Sequence, residues 1–89
     1  MKWLVCIKGI RDVPEVRGAV EKLGKGIAKE KGISVLNTTT MGTFNAFYFE
    51  LECEKQKAGE FAKELLDACE KAQLTRTLAE REYIVYPIS

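Results

Sequence analysis

At 89 residues, 46% hydrophobic and 30% charged, with a formal net charge of +1, the chain has a globular composition and no field to draw nucleic acid or an anionic membrane. It has no histidine, which removes Ser-His-Asp and Cys-His nucleophile pairs and every imidazole ligand or base. The length suits one domain over residues 1–89 that buries about 60–65% of its unfolded surface, a modest core that self-association would support.

Lys2 to Lys8 reads as a first strand. Trp3, Val5 and Ile7 share one face, and Leu4 and Cys6 make the other apolar at its middle, so the strand is expected to be central. Gly9 ends it. A helix is expected from Asp12, with Asp12 and Glu15 at capping-box spacing and Pro14 in the first turn. Val16, Ala19, Val20, Leu23 and Ile27 follow as one apolar stripe. Gly18, Gly24 and Gly26 weaken this helix, each by about 1 kcal/mol relative to Ala if interior. It ends either near Gly24 or at Lys31, before Gly32.

Ile33 to Thr40 is β-branched and polar, an expected edge strand. Met41-Gly42 turns the chain into the best strand of the sequence, Phe44 to Cys53, which holds three of the four Phe. Its one face reads Phe47, Phe49, Leu51, Cys53, wholly apolar. Its other face reads Phe44, Ala46, Tyr48, Glu50, Glu52, apolar at the start and acidic at the end. A second helix is expected over Lys57 to Ala72, burying Phe61, Leu65, Ala68, Cys69 and Ala72. Gln73 to Arg81 suits either a helical turn or a short strand. Glu82 to Ile88 reads as a last strand, at an edge because of Pro87.

The order strand, helix, strand, strand, helix, strand is the split βαβ, or ferredoxin-like, pattern of an α+β sandwich. Right-handed crossovers then put the first and third strands at the centre of a four-stranded antiparallel sheet, with both helices on one face. The other face is left open. It is expected to carry Leu4, Cys6, Phe44, Ala46, Tyr48 and Glu50, joined by residues of the edge strands, and to serve as an interface for self-association.

The remaining motifs have structural readings. Three Cys (Cys6, Cys53, Cys69) without a C-x-x-C pair fit buried free thiols better than disulfides or zinc. Gly24-Lys25-Gly26 lacks the Walker spacing and its hydroxyl residue. Thr38-Thr39-Thr40 suits an edge strand, and Glu50, Glu52 and Glu54 a solvated strand end. Arg11 follows Gly9-Ile10 without the glycines of an acylphosphatase anion loop. Thr43-Phe44-Asn45-Ala46 does not supply the basic-Gly-aromatic opening of an RNA-recognition strand, and Glu50 and Glu52 repel phosphate. No run approaches the roughly 20 apolar residues of a membrane span, and the start lacks a signal-peptide core, so a cytoplasmic protein is expected.

Two stretches resemble the small subunit of phosphoribosylformylglycinamidine synthase, the PurS family of purine biosynthesis. One holds Lys8, Gly9-Ile10, Asp12, Pro14-Glu15, Gly18-Ala19-Val20 and Leu23-Gly24; the other holds Cys69-Glu70-Lys71, Leu74, Leu78, Glu80 and Glu82-Tyr83. Val13 separates Asp12 from Pro14 where the family has them adjacent, and the family's Asn-Pro after its second helix is missing, with Thr75-Arg76 nearby. The resemblance implies a cofactor-free, non-catalytic subunit that dimerises through its sheet. Such a subunit bridges a glutaminase subunit and an ATP-dependent synthetase subunit and helps ammonia pass between them. Two competitors are a metabolite-sensing domain of the ACT or Lrp-effector type and a small enzyme with Asp12 or Glu50 as base.

Overall fold

The structure, a computed structural model, describes residues 1–11, 13–41, 46–76 and 81–88. The elements run β1 (Lys2–Lys8), α1 (Pro14–Lys31), β2 (Ser34–Met41), β3 (Ala46–Glu52), α2 (Lys55–Lys71) and β4 (Glu82–Pro87). The sheet order is β2-β3-β1-β4 with all neighbours antiparallel, so the chain has the expected ferredoxin-like fold. β1 and β3 are central and β2 and β4 are the edges, as expected.

The core lies between one sheet face and both helices. Trp3, Val5 and Ile7 of β1 and Phe47, Phe49 and Leu51 of β3 meet Val16, Val20 and Ala28 of α1 and Ala58, Phe61, Ala62, Leu65 and Cys69 of α2. Phe49 is the hub. Its ring stacks on Phe47 at 5.0 Å between centroids and meets Phe61 edge-on at 5.3 Å, both favoured aromatic geometries. Trp3 is 5% exposed, and its indole N–H donates to the Cys53 carbonyl at 3.0 Å, satisfying the polar end of a buried ring.

Helix α1 departs from expectation at its start and in its middle. Its N-cap is Val13, with no side-chain cap, and Pro14 occupies the first turn. The helix thus begins after the expected capping residue, Asp12, which lies outside the described residues. It does not stop at Gly24 but runs unbroken to Lys31. It closes there at Gly32 (φ 70°), where the Ile33 N–H reaches the Ala28 carbonyl at 2.8 Å. The buried line is Val16, Val20, Gly24, Ala28, whereas Ala19, Leu23 and Ile27 of the expected stripe are only half-buried. Gly24 is therefore a packing residue. A Cβ there would sit 2.3 Å from Phe49 Cζ, so α1 lies against that ring only because position 24 has no side chain.

The other elements shift slightly. β2 is displaced by one residue, and a bulge between Val35 and Asn37 leaves Leu36 46% exposed. β3 is described from Ala46; Phe44 lies outside the described residues. α2 begins at Lys55 and ends at Lys71, so Ala72 is its exposed C-cap and not a core residue; Ala62 and Leu66 are buried instead. Lys31 ties the helices together through Glu64 at 2.9 Å and Glu60 at 3.6 Å, and the Glu64 hydrogen bond raises the Lys31 pKa.

After α2 the chain turns at Gln73 (φ 59°) and extends rather than adding a helical turn. Thr75 bridges Ile10, with the Arg11 N–H on the Leu74 carbonyl at 3.0 Å and the Arg76 N–H on the Gly9 carbonyl at 2.7 Å. Leu78 and Glu80, two residues of the family-like stretch, lie outside the described residues.

The contact between Gly24 and Phe49 makes opposite predictions for two glycines of one helix. Gly24→Ala loses about 1–3 kcal/mol to overpacking, which outweighs the helix propensity it gains. Gly18→Ala, with nothing within 4 Å of the added Cβ, gains about 0.4–1 kcal/mol. Urea denaturation checks both; the same response at both positions would mean that α1 does not approach the ring. Phe49→Ala costs about 3–5 kcal/mol by the same measurement.

Candidate functional site

The sheet register lays out the open face row by row. Asn37, Glu50, Leu4 and Tyr86 stand side by side across β2, β3, β1 and β4. The next row is Thr39, Tyr48, Cys6 and Ile84. A third holds Ala46, Lys8 and Glu82. Alternation along each strand sends these side chains away from the helices, because their neighbours Val5, Phe49 and Leu51 are core.

Of the expected interface residues, Leu4, Cys6, Ala46, Tyr48 and Glu50 share this face but do not contribute alike; Phe44 lies outside the described residues. Leu4, Tyr48 and Glu50 are half-buried and accessible, whereas Cys6 and Ala46 are 1% exposed and form the floor. Accessible apolar surface comes instead from β4, through half-buried Ile84 and through Tyr86 at 43% exposure. β4 alternates between apolar and aromatic residues on both faces, so its pattern does not show which set faces out; only the pairing with β1 decides it.

The face divides by chemistry. On the β1–β4 side Leu4, Cys6, Ile84 and Tyr86 are apolar or aromatic. On the β2–β3 side Asn37, Thr39, Tyr48 and Glu50 carry an amide, two hydroxyls and a carboxylate. On the polar half, bordered by Leu4, is a groove of about 420 Å³ lined by Leu4, Asn37, Thr39, Tyr48 and Glu50. Tyr48 stands directly across from Cys6 in the pairing of β3 with β1. Burial raises the Cys6 pKa against the smaller opposing effect of the neighbouring Tyr48, and burial, followed by the neighbouring Cys6, raises the Tyr48 pKa. Both groups are thus neutral at physiological pH. Lys8, at the edge of the face, pairs with Glu82 at 3.0 Å, and that hydrogen bond raises the Lys8 pKa. The Glu50 carboxylate has no ion pair or hydrogen bond among the described residues.

The family-like residues gather at one end of the sheet. Lys8 and Gly9 (φ 88°) close β1, Pro14 opens α1, and exposed Gly18 lies one turn further on; Asp12 is outside the described residues. Gly9 needs its glycine for a backbone conformation that side chains disfavour. Gly18 has open space where a Cβ would be, so no contact within the chain requires glycine there. No cluster of three or more Cys, Asp or Glu able to hold a metal occurs among the described residues.

No protein-family model matches this sequence, and no curated relative does. Solved structures do match. A protein assigned as a transposase from Deinococcus radiodurans aligns over 100% of this chain and 79% of its own, at 16% identity and a TM-score of 0.62. An uncharacterised NIPSNAP domain protein from Burkholderia xenovorans aligns over 100% and 95%, at 17% identity and a TM-score of 0.54. The regulatory subunit of aspartate kinase from Thermus flavus aligns over 97% of this chain at 21% identity and a TM-score of 0.52, and this chain spans 51% of that one. At such identities the likeness establishes the ferredoxin-like fold.

The three free thiols divide by burial. Cys6 and Cys69 are buried, and burial pushes the Cys69 pKa up to about 11; Cys53 is half-buried. Ellman's reagent on the native protein at neutral pH is expected to label Cys53 first, with Cys6 and Cys69 following only on denaturation. Rapid native labelling of Cys6 would show that the open face is less closed over its floor than its burial indicates.

Proposed function

We propose that this chain is a non-catalytic assembly module that pairs with a second copy of itself through the open sheet face. The observation that carries the reading is the accessible patch of Leu4, Ile84, Tyr48 and Tyr86, from two adjacent rows, on a face that neither helix covers. Burying such residues against a copy of themselves removes apolar area from water at about 25 cal/mol per Å². A small domain with a modest core benefits from that most. Tyrosines suit the role because they bury a ring while keeping a hydroxyl for the partner.

The finer role is that of the small subunit bridging a glutaminase and an ATP-dependent synthetase in purine biosynthesis. It is supported by the motif residues Lys8, Gly9, Pro14 and Gly18, which lie at the end of β1 and the start of α1. Exposed Gly18, unconstrained by its own chain, suits close approach by another subunit. A second reading, a metabolite-sensing domain of the ACT type, is favoured by the 420 Å³ groove and by the likeness to a regulatory subunit of aspartate kinase. The two readings share the pairing of sheets and differ in what the paired sheets hold.

Tyr48→Glu puts a charge at the middle of the face and is expected to reduce the solution mass from dimer to monomer without loss of helical circular dichroism. An unchanged mass by light scattering would move the interface elsewhere. Affinity purification of the tagged wild type from its own host, with glutamine and ATP present, is expected to recover a glutaminase and a synthetase. Recovery of the chain alone would shift the finer role to the sensor.

A further inference from the structure

We propose that the groove on the open face binds a small monocationic amine with an apolar or aromatic body, its ammonium group held by Glu50. The inference rests on the pairing reading, because a second sheet laid across the groove encloses a depression that one protomer leaves open.

Glu50 is the starting point. The two other carboxylates within the strands have cations: Glu82 has Lys8 at 3.0 Å, and Glu52 has the Met1 amino group at 3.6 Å. Glu50 is half-buried between Leu4 and Asn37 and has none among the described residues. A partly desolvated carboxylate without a counter-charge is a destabilising feature that a cationic ligand relieves.

The surrounding groups specify the rest of the ligand. An ammonium group has three donors and no acceptor, so it needs acceptors only. The groove supplies the Glu50 carboxylate and the Thr39 and Tyr48 hydroxyl oxygens, each with lone pairs that can accept from an ammonium group. The Asn37 side-chain oxygen already accepts the Thr38 N–H at 2.9 Å, so its amide N–H₂ and remaining lone pair complete the rim. The neighbouring Leu4, with Cys6 and Tyr86 beyond it, offers an apolar bed for the body of the molecule.

The same rows exclude the nearest alternatives. Neither the Asn37–Glu50–Leu4–Tyr86 row nor the Thr39–Tyr48–Cys6–Ile84 row contains a cation; Lys8, in the row on one side, is engaged by Glu82, and Lys2, beside Glu52 in the row on the other, also has a partner. An amino acid would leave its carboxylate unpaired beside Glu50, and a phosphate would be repelled. At about 420 Å³ the groove falls within the range of about 300–1,000 Å³ of small-molecule sites and suits a ligand the size of an arylalkylamine.

The test uses the full chain and three probes of one shape: phenethylamine, phenylalanine and N-acetylphenethylamine. Calorimetry is expected to show saturable binding of phenethylamine, with phenylalanine and the acetylated amine weaker by at least about tenfold, because each forfeits the charge match. Glu50→Gln should weaken phenethylamine by a similar factor while Glu21→Gln, on exposed α1, leaves it unchanged. No saturable heat up to about 10 mM amine overturns the proposal. So does wild-type affinity in Glu50→Gln, or equal affinity for phenylalanine. Light scattering on the same samples separates the two readings. A dimer indifferent to the amine removes the ligand and keeps the pairing; a monomer that binds it removes the pairing and keeps Glu50 as an amine site.

Discussion

The fold depends on how closely α1 can approach the sheet, and that is set by one missing side chain. Gly24 faces the Phe49 ring at a distance that no Cβ tolerates. With the helix seated there, Val16, Val20 and Ala28 reach the same core as Phe47 and Phe61. Were the helix held off by even a methyl group, the Phe49 ring would have to tilt, and its edge contact with Phe61 on α2 would go with it. Both helices are thus coupled through one aromatic ring on one central strand.

This contact explains why the sheet was legible in the sequence and the helix surface was not. Alternation of Phe47, Phe49 and Leu51 against Tyr48 and Glu50 gives both the strand and its faces, because a period of two admits only two assignments and one of them buries charge. Gly24 has no such signature. A glycine inside an amphipathic stripe reads as a weakness in the helix unless the ring opposite is known. The same ignorance rotated the stripe, since Leu23 and Ile27 are larger than Gly24 and Ala28 and look like better core residues. They are half-buried because the close approach selects for small residues along that line.

The open face was legible in outline for a similar reason. Leu4, Tyr48 and Glu50 follow from the alternation of the central strands. Ile84 and Tyr86 do not, because β4 is apolar on both faces and its outward set is fixed by pairing with β1. Asn37 and Thr39 depend on the bulge at Leu36, which shifts the register of β2 and has no marker such as glycine in the sequence. The face is therefore a product of register: four strands, each ordinary alone, put an apolar half next to a polar half only when aligned as they are.

That division bears on how one surface can serve both association and ligand binding. A face meant only to pair with itself gains nothing from an uncompensated carboxylate near its middle, since desolvating Glu50 against a second sheet costs more than the neighbouring apolar contacts of one residue return. A face meant only to bind a ligand has little use for exposed aromatic surface on β4, beyond the groove. The two features are reconciled if the apolar half carries the association and the polar half is left as an enclosed space whose charge is met from outside the chain. In such an arrangement the ligand stabilises the pair by relieving Glu50, and pairing strengthens the ligand's ion pair by excluding water from it. Coupling of this kind is reciprocal, so a single residue at the centre of β3 would link the assembly state of the protein to the concentration of a small cation.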